Sequence, residues 1–563
     1  MQKSKTKIPQ QTESLSIKKR LLNSFLKNKI LIIFLCILFI GFILRTTNLI
    51  DNINFHYDQG RDAQRIYNIV HNGDFKIVGP ETDIPGVFNG PIYYYLLAPL
   101  YALGGFSPNF VAFFFILFNM SGAILLYYFA KALFNNKSIG LIAAFLWSIS
   151  YEQAVFSRYI SNASGMSLAT MIFFLGLALY IFKSNKWGLT MSVIGLGLAI
   201  HFNFYLIYLG GFYLIYYFVF RPSISIKSLL LNGMLLFCLI SNFFLTELMW
   251  NFATTKALLS YFSGQSDHTF SLLSHLSLYQ DKLVEMIKYS FFSYQPILAL
   301  IFFVSFIGIA IKYQKPRKEV IFLLIWVFSN APLFIFRSGV LTVPVISTTI
   351  FGAVTLLFAV GIYQIYHTRF KYLSFILIMV FLISNIQLLV REQFRSVNLL
   401  SAIPLLLKDE RSVIDYTYQS SAGKPFSICA LTNPLFVNST WSFLYTVYGK
   451  KYNFTPYWSG QPQHINKGML PYDTQKVETR YLILEPLVGI PEEALKATVY
   501  MEDQVSEIVQ EKKFGTLTVQ KRKLNPAING VRDSQNLSEE EARGVKGRIG
   551  NDPRYSCFMD YDL

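Results

Sequence analysis

LIDNINFHYDQGRDAQRIYNIVHNGDFKIVGPETDIPGVFNGPIYYYLLAPLYALGGFS, residues 49–107, lies between two apolar runs, 30–48 and 108–130, each long enough to cross a bilayer. Its charges, glycines and prolines interrupt every apolar window of about 18 residues, so the stretch is not itself a span. It is also longer than a connector needs to be, which points to function. Asp62 to His71 has a helical period and stops at Asn72-Gly73, where a glycine suits a helix C-terminus. Pro91 to Leu103 is apolar and Tyr-rich but too short to cross. Both read as helices lying in or dipping into the interface, where tyrosine keeps one end wet.

The rest of the chain agrees. Of 563 residues, 53% are hydrophobic, 17% aromatic and 15% charged, and the mean hydropathy is +0.38, against roughly 25% charged residues in a soluble domain. A soluble enzyme and a disordered, collagen-like or coiled-coil chain are excluded. Apolar windows place eleven helices near 30–48, 108–130, 138–156, 165–182, 188–202, 203–220, 228–249, 293–311, 320–336, 345–366 and 372–390. The expected fold is a polytopic α-helical membrane protein with about eleven transmembrane helices.

The net charge of +17 is explained by topology. With the N-terminus inside, the inner segments hold 20 Lys and Arg against two acids, Glu13 and Glu319, while the remainder is close to neutral. That is the positive-inside pattern, so nucleic acid is not an expected partner. Residues 1–29 read as a cytoplasmic segment leading into an uncleaved first helix, 30–391 as the transmembrane domain with its first outer loop at 49–107, and 392–563 as an extracytoplasmic domain of a plasma-membrane protein. In that tail, strand-like runs (Phe426 to Leu431, Arg480 to Leu484, Gly515 to Gln520) alternate with helix-like ones (Ser412 to Tyr418, Glu492 to Glu502), as in a small α/β domain. Its last thirty residues, including Glu539 to Glu541, read as frayed. Cys36 and Cys238 fall in spans; Cys429 and Cys557 share the outer compartment and either pair or stay free.

Six acids crowd the first loop, Asp51, Asp58, Asp62, Asp74, Glu81 and Asp83, against Arg61, Arg65 and Lys76. Asp62 and Asp74 also read as a helix start and a turn residue. Asp58, between aromatics and a glycine at the membrane surface, sits where partial burial tunes a carboxylate toward base chemistry.

At these residues the chain resembles the membrane-embedded glycosyltransferases of the GT-C superfamily, and most of all glycosyltransferase family 39, with its protein O-mannosyltransferases and lipid A aminoarabinose transferases. The matching pieces are Tyr57-Asp58-Gln59-Gly60-Arg61-Asp62-Ala63, Asn72-Gly73-Asp74-Phe75 and Gly90-Pro91-Ile92-Tyr93-Tyr94-Tyr95-Leu96. The resemblance implies a sugar donor on a polyprenyl phosphate, an acceptor hydroxyl on protein, lipid or glycan, and inversion at the anomeric carbon. Asp58 would be the general base, with Asp62 and Glu81 as acceptor-side or second acids. Two departures stand out: Asp58-Gln59 replaces a frequent Asp-Glu, and Asn89-Gly90-Pro91 replaces a frequent Lys-Pro-Pro or His-Pro-Pro, which removes a cation from the donor phosphate.

Such a transfer needs a cation to meet charge growing on the departing phosphate. Arg158 and Arg337, each alone in a short outer loop, and His201, in the apolar run AIHFNFY, are the candidates. Snorkelling to headgroups for the arginines and a packing hydrogen bond for His201 are the competing readings. No metal-ligand spacing occurs and no cofactor is called for, with a divalent cation left open. A flippase or transporter for lipid-linked sugars, or a glycan ligase or polymerase, shares this architecture; loop 250–292 with Asp267 and His268 suits the last. Transporters place ionisable residues at mid-membrane, whereas here the acids gather in one outer loop.

Overall fold

The computed structural model describes residues 28–525, apart from Asp83, Phe436, Tyr472 and the segments 264–271, 292–295, 314–316, 337–342, 396–402, 460–468, 474–476, 487–491 and 504–505. Its helices are α1 (Lys29–Thr46), α2 (Tyr57–Asn72), α3 (Ile92–Leu103), α4 (Pro108–Phe134), α5 (Lys137–Ile149), α6 (Tyr151–Phe156), α7 (Ala163–Lys183) and α8 (Lys186–Phe202), then a 3-10 stretch, Phe204–Gly211, that runs into α9 (Phe212–Phe220). They continue as α10 (Ile226–Leu239), α11 (Ser241–Met249), α12 (Ala253–Ser263), α13 (Leu272–Ser290), α14 (Pro296–Tyr313), α15 (Lys318–Val327), α16 (Ala331–Phe336), α17 (Val343–Tyr366) and α18 (Lys371–Arg391).

This is a multi-pass membrane protein, and among the described residues every expected window is mainly helical. Among the described residues five helices are long and apolar enough to cross, or six if α10 and α11, bent by 51°, form one span. Length and hydropathy therefore do not carry the count to eleven. One reason is local: the Ser150 side chain accepts from Gln153 N and divides the third window into α5 and α6, since a serine at a helix start competes with helix continuation.

The end of α1 that leads into the first long loop is held by two arginines. Arg45 is fully buried. Its Nε donates to Asn119 Oδ1 at 3.0 Å, Nη1 to the Ser148 carbonyl at 2.7 Å, and Nη2 to the Trp147 carbonyl at 3.0 Å. One side chain thus joins α1, α4 and α5. Arg158, just beyond α6, donates to the carbonyls of Leu44, Arg45 and Thr47 at 2.8 to 3.0 Å. The last carbonyls of a helix lack partners within it and carry its negative dipole end, so a guanidinium suits them.

The tail comprises α19 (Leu407–Ser420), β1 (Phe426–Leu431), α20 (Ser439–Val447), β2 (Tyr457–Trp458), β3 (Thr479–Leu484), α21 (Glu492–Asp503), β4 (Ser506–Phe514) and β5 (Leu517–Leu524). The strands form one sheet in the order β2-β1-β3-β5-β4. β1 runs parallel to β2 and β3, and β5 antiparallel to β3 and β4. All six residues of β1 are buried, as a parallel strand covered on both faces should be. Cys429 is disulfide-bonded, and Cys36 and Cys238 are free; Cys557 and the polar terminal segment lie outside the described residues.

The tail docks on the first long loop. Phe55 N donates to the Leu405 carbonyl and Leu407 N to the Ile53 carbonyl, forming a short ladder through the Asn54–Leu406 bridge. Phe443 of α20 meets Phe55 and Tyr101 with ring centroids 6.0 and 6.3 Å apart. At the centre of this contact a Cβ on Gly60 would lie 2.2 Å from Thr440 Oγ1 and 2.5 Å from its Cα, so only glycine lets α2 and α20 approach this closely. Gly60→Ala should cost about 1 to 3 kcal/mol by overpacking and lower the melting temperature in detergent. Gly233→Ala, where nothing lies within 4 Å of the added Cβ, should leave it unchanged.

Candidate active site

The helix that carries the acids starts earlier than its sequence period suggests. α2 opens at Tyr57 because Gln59 Oε1 accepts from His56 N at 2.9 Å, closing the first turn in the manner of a capping box. It ends at Gly73, with φ +63°. Ala63, Ile66 and Ile69 bury its apolar face, and α3 covers it with Tyr93, Tyr94, Leu97 and Tyr101.

Asp58, Arg61, Asp62 and Arg65 then fall at i, i+3, i+4 and i+7, along one stripe of α2. The Arg61 guanidinium forks between the two acids: Nη1 lies 3.0 Å from Asp58 Oδ1, and Nη2 lies 2.9 Å from Asp62 Oδ1. Nε also donates to Asp62 Oδ1, at 2.9 Å, and Tyr94 Oη donates to that same oxygen at 3.3 Å. The acids differ in setting, because the Asp58 side chain keeps 29% of its surface exposed and that of Asp62 only 4%. Burial pushes the Asp62 carboxyl up to about 6; Arg61 pulls it back and Asp58 adds to the rise. Burial works against the charge on Arg61, but Asp62 and then Asp58 hold its proton firmly. Burial also drives His56 down to about 4, against the pull of Asp58, so its imidazole is neutral at physiological pH. Tyr159, beyond α6, is buried and within reach of both carboxylate charges.

The other expected residues lie apart from this pair. Glu81 closes a hairpin instead, pairing with Phe88 across a bridge and accepting from Gly86 N at 2.9 Å. Asp74 pairs with Lys76 at 2.6 Å. Arg158 is fully buried; its Nε and Nη2 donate to the carbonyls at the end of α1, while Nη1 is buried without a hydrogen-bond partner. That corrects the expectation of a cation in an open loop and equally excludes snorkelling, for which a charge must reach water. His201 is 2% exposed. Its Nε2 lies 2.8 Å from the Leu239 carbonyl, which only accepts, so Nε2 carries the proton. A Cβ on Gly90 would come within 1.8 Å of Nδ1; His201 packs where the loop substitutes Gly90 for proline. Asn89 gives its side-chain oxygen to Phe204 N at 2.9 Å. Arg337, Asp267 and His268 lie outside the described residues.

Sequence reasoning left Arg61, Arg65, Tyr94 and Tyr159 without roles. Starting the helix at Tyr57 instead of Asp62 would have placed the two arginines on the stripe with the acids. Arg65 makes no ion pair among the described residues, which makes it the cation nearest the pair in sequence with its charge uncommitted. No three His, Cys, Asp or Glu side chains converge among the described residues.

Residues 88–250 match the family model described as dolichyl-phosphate-mannose-protein mannosyltransferase. The crystal structure of ArnT from Cupriavidus metallidurans in the apo state is similar to the chain with a TM-score of 0.55 at 10% identity, over 87% of this chain and 97% of that one. The same organism's ArnT bound to undecaprenyl phosphate gives 0.53 at 11% identity, over 89% and 98%. No curated protein matches in sequence. The likeness to the ArnT fold thus spans nearly the whole chain, and the family model spans residues 88–250.

Breaking a buried ion pair from one side strands a charge at a cost of about 3 to 5 kcal/mol. Arg61→Leu should therefore destabilise the protein strongly, whereas Arg61→Leu combined with Asp62→Leu should recover most of the loss. Thermal unfolding of the purified single and double variants at pH 7.5 checks this.

Proposed function

We propose that the chain is an integral-membrane glycosyltransferase that moves one sugar from a polyprenyl-phosphate donor to an acceptor hydroxyl at the outer face, with Asp58 as the general base. The observation that carries the reading is the Asp58 carboxylate, partly exposed in the first turn of a loop helix that is fastened to a span end on one side and to a folded tail on the other. The similarity to ArnT, including its form bound to undecaprenyl phosphate, supports a lipid-phosphate carrier. The family-model match supports a sugar on that carrier.

Arg61 engages Oδ1 of Asp58, and among the described residues nothing engages Oδ2. That second oxygen takes the acceptor proton as the hydroxyl oxygen attacks the anomeric carbon. The bond from that carbon to the phosphate oxygen breaks on the opposite face, its electron pair leaves with the lipid phosphate, and the configuration inverts. Charge grows on the departing phosphate, and a cation worth having there must be fixed beforehand. With Arg158 committed to helix carbonyls, Arg65 is the first choice for that role, in place of the cation missing at Asn89-Gly90. The tail lies against the same helix and forms the wall from which an acceptor is presented.

General-base catalysis is worth on the order of 10² to 10⁴ in rate. Asp58→Asn should lower transfer of radiolabelled sugar from polyprenyl phosphate to membrane acceptors by that factor, with the melting temperature unchanged. Retention of most activity by the purified variant would refute the assignment.

A further inference from the structure

Asp58 and Asp62 compete for one cation. Asp62 holds the larger share, with two guanidinium nitrogens at 2.9 Å against one at 3.0 Å for Asp58. The groups facing Asp62 are Asp58 and Arg61 on its own helix, Tyr93, Tyr94 and Tyr101 on α3, and Tyr159 beyond α6, with Arg65 acting on Tyr94. Of these only Arg61 pairs with it, and only Tyr94 adds a hydrogen bond. The tyrosines are pushed above their ordinary range by burial, so they do not change charge near neutrality.

A guanidinium given wholly to Asp58 would hold that carboxylate in its charged form and weaken it as a base, since an opposite charge at this distance lowers a carboxyl pKa by about 1 to 3 units. An ionised Asp62 opposes this twice over: it takes a share of the cation, and its own negative charge makes Asp58 readier to accept a proton. We propose that Asp62 is a positioning residue for transfer, dividing the Arg61 guanidinium so that Asp58 stays basic enough to take the acceptor proton. The inference rests on Asp58 being the base. Its corollary is a rate that falls as pH drops through the range in which Asp62 takes a proton, because Arg61 is then surrendered to Asp58.

The balance is measurable without a substrate. In a Cys36→Ser, Cys238→Ser background of the full chain, Asp58→Cys places a thiol at the base position, and its pKa is read from the pH dependence of iodoacetamide alkylation. Adding Asp62→Asn should lower that pKa by about one unit, Asp62→Ser should do the same, and Asp62→Glu should restore the parent value. With Arg61→Gln also present, Asp62→Asn should retain only the smaller direct charge effect. A thiol pKa that is the same with Asp62, Asn or Ser at position 62 would overturn the inference. In transfer assays the acid limb of the turnover number should vanish in Asp62→Asn, and a limb identical to the parent's would count equally against it. Failure here leaves the base assignment standing, because that is decided separately by whether Asp58→Asn transfers sugar.

Discussion

Two guanidinium ions buried without a carboxylate between them fix the end of α1 from which the first long loop departs. Arg45 and Arg158 sit at the same end of α1, and removing such charges from water is expensive unless their donors find oxygens; all but Nη1 of Arg158 do. The protein supplies carbonyls: those of Trp147 and Ser148 for Arg45, and the exposed end of α1 itself for Arg158. The helix end gains the cations that its dipole favours, and the cations gain acceptors that lipid cannot offer. Because the first long loop begins a few residues further on, the place where α2 starts is set by this knot.

From there the architecture works as a sequence of fixed distances. α2 is pinned at its start by the Ile53–Leu407 ladder, roofed by the tyrosines of α3 and backed by α20 of the tail. A helix held on three sides keeps its polar stripe in one orientation, which the proposed base and its cation require. The stripe is nearly neutral overall, which lets it stay at an interface where a bare pair of carboxylates would repel.

What the sequence disclosed followed from how strongly each signal is written. Long apolar runs are legible because backbone spanning lipid as a single segment must be helical, and among the described residues each such window is mainly helix. β1 and β3 were readable from dense apolar composition, whereas β4, Ser-Glu-Ile-Val-Gln-Glu-Lys-Lys-Phe, is charged and exposed along most of its length and has no alternation to betray it. Asp58 stood out by its surroundings. Arg61 did not, because its role exists only once Tyr57 opens the helix and brings positions 58 and 62 within reach of one side chain. Arg158 misled for a related reason: a lone arginine between apolar segments looks available, and only folding shows that its partners are the carbonyls of residues more than a hundred positions away.

The match between Gly60 and Thr440 has an implication for how such chains diversify. A different tail can take this seat only if its helix still fits a bare backbone at position 60, so positions 60 and 440 form a matched lock. A graft that replaces the tail alone separates them, and a side chain at position 60 or a bulkier one at 440 would push the two helices apart.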